Sequence, residues 1–272
     1  PWCCPLCGAP LAGDNALKCP SGHSFDRAKE GYWHLLPVQN TRTKAPGDSK
    51  EMVAARSAFL DKGYYAPLRQ ALCELALACV KEESAPVVVD SGCGEGYYTS
   101  GAKAALDAAD RDPRVYGIDI SKYSLRWAAK RDKSIEFAVA SAYHLPLPDQ
   151  SVDVLLNCFS PLALEEFRRV LKPGGAFLYV VPAPRHLWEL KQAVYDTPYE
   201  NPEQAIPYEG FSYVRVEAVE QRVTLPDART IQDLFGMTPY LWKTPKQGLE
   251  RLHALDRLEV QTAFRLHLFR RE

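Results

Sequence analysis

The chain has 272 residues, 46% hydrophobic and 25% charged, with a formal net charge of −1. This length fits one large α/β domain plus a small module, or two modest domains, and the composition excludes collagen-like, low-complexity and mainly disordered classes. A near-neutral chain is no polycation, no apolar run approaches the ~18 residues of a membrane span, and no basic-then-apolar leader opens the sequence, so a cytoplasmic protein is expected.

In chain order, the first feature is a cysteine cluster. Four of the eight cysteines fall within the first nineteen residues. Cys4-Pro-Leu-Cys7 has the spacing of a zinc knuckle, and Cys19-Pro-Ser-Gly-His23 places a second ligand pair around a turn. Cys4, Cys7, Cys19 and His23 make a closed Cys₃His set, the structural zinc class, with Cys3 an alternative to Cys4. A segment of about 35 residues cannot bury enough core alone, so one zinc ion would supply much of its folding free energy. Residues 1–37 are expected to form this module, and 38–84 a linker with helices leading into a core. Six Lys/Arg against four Asp/Glu make residues 1–50 mildly basic, and Arg42 and Lys44 in the linker are candidate phosphate contacts. Ser49 is placed to cap a helix that Gly63-Tyr64-Tyr65 breaks, and a second helix is predicted over 67–82.

From residue 86 the pattern alternates. Strands are predicted at 86–90, 115–118, 135–139, 152–156 and 176–181, with helices near 97–108, 122–132, 162–171 and 186–195. Two strand-like runs, 211–224 and 258–269, flank a helical insertion near 227–255. Repeated β-α units predict a parallel sheet with helices on both faces, a Rossmann-like α/β domain over 85–272.

The turn after the first of these strands reads Asp90-Ser-Gly92-Cys-Gly94-Glu95-Gly96, and Asp119 ends the next strand. A dinucleotide site wants G-x-G-x-x-G and a pyrophosphate, which Asp90 and Glu95 would repel. The spacing G-x-G-x-G with these acids suits a ligand carrying a sulfonium and an amine, with Asp119 on the ribose hydroxyls; this is the S-adenosylmethionine pattern. Ser141, after the third strand, falls where the adenine of such a cofactor lies. Asn157 and Phe159, after the fourth strand, are candidate acceptor contacts, Phe159 by stacking.

The cysteine module, Lys29-Glu-Gly-Tyr32, Leu35-Leu-Pro-Val-Gln39, Pro46-Gly-Asp-Ser49, Cys93-Gly-Glu-Gly-Tyr-Tyr-Thr99 and Pro184-Arg-His-Leu187 together resemble the bacterial 23S rRNA guanine-N1-methyltransferases. The resemblance runs nearly end to end and is most specific over 1–100. It implies a zinc module that contacts RNA, joined to a class I S-adenosylmethionine-dependent methyltransferase fold. The implied substrate is a domain II hairpin loop, at guanine 745 or, in a macrolide-resistance branch, guanine 748. It also implies cofactor contacts at Tyr65, Gly94, Glu95 and His186, and a homodimer in some members. No residue is identified as the catalytic base. Two other readings remain open from residues alone: a small-molecule methyltransferase whose zinc module dimerises, and an RNA-binding protein without turnover.

Overall fold

The computed structural model describes residues 2–203 and 206–272. Near the N-terminus, β1 (Ala16–Lys18) and β2 (Ser24–Asp26) pair as a small antiparallel ribbon, and β3 (Trp33–His34) follows. Two helices come next, α1 (Lys50–Leu60) and α2 (Ala66–Cys79). Ser49 caps α1 by accepting from the Met52 N–H at 3.2 Å, as its position in the sequence predicts.

The core then alternates as expected: β4 (Val87–Ser91), α3 (Tyr97–Ala108), β5 (Arg114–Asp119), α4 (Lys122–Arg131), β6 (Glu136–Val139), β7 (Val152–Cys158), α5 (Leu164–Val170), β8 (Leu171–Pro182) and α6 (Trp188–Val194). Val88 and Val89 of β4 sit in the buried centre of the sheet, which is why a short β-branched run suffices there. The chain ends with β9 (Phe211–Leu225), α7 (Ala228–Gly236), a 3₁₀ turn over Pro239–Trp242, α8 (Lys246–His253) and β10 (Leu258–Arg271).

The eight-stranded sheet runs β3-β6-β5-β4-β7-β8-β10-β9. It is parallel from β3 to β8, but β10 is antiparallel to β8, and β9 to β10. The expectation of an all-parallel sheet therefore fails at one edge. There β10 inserts between β8 and β9, and β9 is left as an edge strand with most side chains exposed, a placement antiparallel strands tolerate and parallel ones rarely do.

The opposite edge is closed by the cysteine-rich segment. Trp33 and His34 pair in parallel with Ala138 and Val139, extending the core sheet by one short strand. The Cys3 N–H donates to the Pro146 carbonyl at 2.8 Å, and Trp2, 3% exposed, packs edge-on against Tyr116 with ring centroids 5.1 Å apart. No helix among the described residues is long and apolar enough to cross a membrane.

Because Trp2 is a large, buried aromatic packed directly on Tyr116 of the core sheet, Trp2→Ala is expected to cost about 3–5 kcal/mol in equilibrium urea unfolding. An unchanged midpoint and slope would show that the segment docks without it.

Candidate active site and metal centre

The metal centre is built on two tight turns. The Cys4, Cys7 and Cys19 sulfurs and one His23 ring nitrogen all lie within 4.8 Å of one another. Cys7 Sγ is 3.7 Å from Cys19 Sγ, and His23 Nδ1 is 3.5 Å from Cys4 Sγ and 3.3 Å from Cys19 Sγ. A tetrahedral zinc with bonds of about 2.3 Å to sulfur and about 2.0 Å to nitrogen sets edges of roughly 3.8 and 3.5 Å, so the donor set fits. Four protein ligands close the shell, which makes the site structural. Cys3 is not in the cluster; its N–H serves the docking bond to Pro146 instead.

The second site is a cavity of about 620 Å³ at the C-terminal ends of the parallel strands, where open α/β sheets bind ligands. One end is the glycine turn after β4. Gly92, Gly94 and Gly96 have φ of 76°, 57° and 87°, a conformation that disfavours any residue with a Cβ. A Cβ on Gly92 would lie 2.3 Å from the Ser160 Cβ, whereas one on Gly94 would enter open space. The turn thus presents bare backbone to the cavity.

Acids surround that backbone. Asp90 is 1% exposed, accepts from Thr99 Oγ1 at 2.7 Å through one oxygen and keeps the other, Oδ1, without a partner. Burial pushes its carboxyl up to about 7, against the opposing Thr99 bond. Glu95, equally buried, is paired with Arg131 through Oε2, and its Oε1 is unpartnered. Burial still raises its pKa, because desolvation outweighs the guanidinium. Asp119 accepts the Gly94 N–H at 2.9 Å and the Ser121 N–H at 2.8 Å, one on each oxygen, with lone pairs left for hydroxyl donors. Two orphaned acceptors beside an open glycine backbone fit S-adenosylmethionine, whose amine and hydroxyls are donors. Ser141 also lines this end, its Oγ accepting the Tyr143 N–H at 3.2 Å.

The other end is aromatic and lies beyond β7 and β8. Phe159 is 45% exposed at φ 57°, with ring centroids 5.5 Å from Phe264 and 6.5 Å from Tyr98. A bulky residue held in the left-handed region is strained, and here the strain turns an aromatic face to the cavity. Tyr65 and His186 meet between the two ends, Oη to Nε2 at 3.5 Å. The Ala263 N–H donates to His186 Nδ1 at 3.0 Å, so the imidazole proton is on Nε2. Burial, aided by the Lys191 charge, depresses His186 to about 3, and the ring is neutral. Burial likewise keeps the Tyr65 phenol protonated.

Three candidates from the sequence lie elsewhere. Asn157 is fully buried and absent from the cavity lining. Its amide donates to the Pro161 carbonyl at 2.9 Å and accepts from Ser160 Oγ at 2.7 Å, so it shapes the Phe159 loop from within the core. Arg42 and Lys44 are exposed on the linker, outside the lining, where only a large substrate reaching beyond the cavity would meet them. Residues 47–60, by contrast, contribute more than the sequence suggests. Gly47, Asp48 and Arg56 line the cavity, Arg56 pairs with Asp48, and the Asp48 carbonyl accepts from Ser121 Oγ at 2.8 Å. Asn201, Met237, Thr238 and Tyr240 also line it and carry no local motif.

The chain is similar to known proteins over both sites. Residues 2–44 match the zinc-ribbon family described as RlmA, N-terminal, and residues 89–179 match the methyltransferase domain family. A Streptomyces fradiae protein named 23S rRNA (guanine(748)-N(1))-methyltransferase is 39% identical over 193 residues, covering 70% of this chain and 66% of its own. YxjB of Bacillus subtilis (strain 168), provisionally named a 23S rRNA (guanine-N(1)-)-methyltransferase, is 32% identical over 94% of this chain and 92% of its own. Among solved structures, a chain from the Haloferax volcanii complex of the Trm112 methyltransferase activator with a methyltransferase has a TM-score of 0.50 at 21% identity. It covers 83% of this chain and 99% of that one, a likeness of fold.

Two outcomes are expected. A cationic ligand selects ionised Asp90, so a pKa near 7 in the free protein makes binding weaken as pH falls below 7, by at most tenfold per unit. Calorimetry with S-adenosylmethionine between pH 5.5 and 8.5 should show this, with proton release on binding, and Asp90→Asn should flatten the profile; a flat wild-type profile would contradict it. Stripping zinc should also weaken cofactor binding several-fold. Pro5, inside the knuckle, accepts a 3.1 Å bond from His144 Nε2, and His144 bridges to Ser141. Equal affinity of metal-free and zinc-loaded protein would show the two sites to be independent.

Proposed function

This chain belongs to the 23S rRNA (guanine-N1)-methyltransferase family, and from that premise we propose how its two sites divide the work. It is a class I methyltransferase that uses S-adenosylmethionine and one structural zinc to methylate N1 of a guanine in 23S rRNA. The target is a guanine of the domain II hairpin loop, at 745 or 748. The zinc module, 1–37, touches that RNA with Arg42 and Lys44 of the following 38–84 stretch, while 85–272 with its insertion near 227–255 does the chemistry. A homodimer and a cytoplasmic setting complete the reading.

One observation carries it: a single cavity joins the glycine cradle to an exposed aromatic shelf at Phe159. N1 lies on the Watson–Crick edge, so the base must leave any pair or stack to be reached. A hairpin loop offers unstacked bases, and Phe159 offers a stacking face. In this reading Tyr65, Asp90, Gly92, Gly94, Glu95, Gly96, Asp119, Ser141 and His186 hold the cofactor. When bound, it supplies an electrophilic methyl: the N1 lone pair forms the new bond as the methyl–sulfur bond breaks and its pair stays on sulfur.

The N1 proton must leave first. His186 is too weakly basic to take it, and burial holds Tyr65 and Tyr240 in their protonated forms. With Asp90 assigned to the cofactor, we infer that the proton goes to solvent and that the protein's task is to orient the base and stabilise the anion left behind.

The test is transfer of labelled methyl to unmethylated 23S rRNA, with primer extension to map the block. A stop at a domain II loop guanine is expected. Phe159→Ala should raise the RNA KM by about tenfold, for a loss of ~1–3 kcal/mol of stacking, with cofactor affinity unchanged. Label in a small molecule and none in RNA would overturn the reading.

A further inference from the structure

The proposed reaction leaves negative charge on guanine N1 and O6, and one part of the acceptor end is built to meet it. Lys191, on α6, is fully buried. Its ammonium donates to the Tyr199 carbonyl and to Asn201 Oδ1, each at 2.9 Å, and lies 4.5 Å from the Tyr199 ring centroid and 5.5 Å from that of Tyr240. Among the described residues no carboxylate pairs with it. A buried cation surrounded only by neutral acceptors is costly, and such a cost persists where an anion arrives during function.

Asn201 connects that charge to the cavity. Its backbone N–H donates to the Pro184 carbonyl and its Nδ2 to the Ala183 carbonyl, both at 2.9 Å, so the side chain is fixed at the end of β8. Nδ2 carries a second hydrogen with no partner among the described residues, and Asn201 lines the cavity. With Oδ1 held by an ammonium, the amide is polarised and its free N–H becomes a stronger donor.

We propose that Asn201 recognises guanine O6 through this free N–H and that Lys191 is a positioning residue acting through it. The assignment rests on the guanine-N1 reading above. Adenine carries a donor at that position and would be rejected; guanine offers an acceptor whose charge grows as N1 loses its proton to solvent.

The titratable neighbours of Lys191 are the phenols Tyr195, Tyr199 and Tyr240 and the neutral His186. The charged ones are Lys243 after the 3₁₀ turn and, on the α8 side, Arg251 with its partner Asp196. Burial, with Lys243 adding to it, lowers the Lys191 pKa.

The experiment compares wild type, Asn201→Ala, Asn201→Asp and Lys191→Met on a 23S rRNA hairpin oligonucleotide from pH 6.5 to 9.5. Near pH 7 kcat should fall by about 10–100-fold in Asn201→Ala and Lys191→Met and further in Asn201→Asp, with S-adenosylmethionine affinity within twofold by calorimetry. The deficit should narrow as pH rises, because hydroxide then removes the N1 proton without help. Lys191→Met leaves two acceptors orphaned and can fail to fold; Asn201→Asp keeps an ion pair to Lys191 and carries the test alone. Equal loss at every pH, or loss of cofactor affinity, would overturn the proposal and make Asn201 a packing element. Unchanged kcat would overturn it too. If wild type itself gives no guanine stop, the parent reading fails; if wild type does and the variants match it, only this inference fails.

Discussion

The site depends on one turn. Between β4 and α3 the chain takes three left-handed glycines in five residues, and each answers a different constraint. Gly92 passes against Ser160, so the loop bearing Phe159 can close over it; Gly94 bares its backbone to the cavity; Gly96 lets α3 approach Ala128 of α4, where a Cβ would sit at 3.2 Å. The same turn orients the Gly94 N–H toward Asp119, locking β4 and β5 into a common rim. Cofactor cradle and acceptor loop are therefore set by one backbone conformation, and a side chain at Gly92 would disturb both.

The zinc module is fastened to that rim from outside. Its strand β3 extends the sheet beyond β6, and its knuckle carbonyl at Pro5 accepts from His144, in the segment that carries Ser141. A segment too small to fold alone thereby gains a sheet edge as well as a metal. The sheet gains an edge that is no longer open to another chain, which the exposed β9 at the far side does not share.

Much of this was legible in the sequence, for reasons that differ by residue. The Cys₃His spacing, the glycine turn and the strand-ending acids are local patterns, and Ser49 declares its helix because a cap bonds only three residues ahead. The antiparallel edge was not legible, since the periodicity of a strand carries no direction. Asn157 was placed by its position after β7, which suits an acceptor contact, but the fold buries it outside the cavity lining, bonded to Ser160 and Pro161. Arg56, Asn201 and Tyr240 reach the cavity from segments far apart in the chain. Lys191 looks like an ordinary helical lysine until the fold buries it.

The placement of buried charge matches the charge flow of the proposed reaction. An unpaired carboxylate oxygen at Asp90 marks the end that receives a sulfonium, and Lys191, a cation with no carboxylate partner among the described residues, marks the end that must hold an anion. The two reacting charges cancel as the methyl moves, and apolar walls such as Phe159, Met237 and Phe264 lower the local dielectric, so the two charges attract more strongly there than in bulk water. Direct contact between Lys191 and the base would defeat this, because an ammonium bonded to the anion lowers its nucleophilicity as surely as it eases deprotonation. Interposing Asn201 is the physical compromise. A polarised amide lowers the cost of losing the N1 proton, while the full charge stays one residue away and leaves the lone pair free to attack.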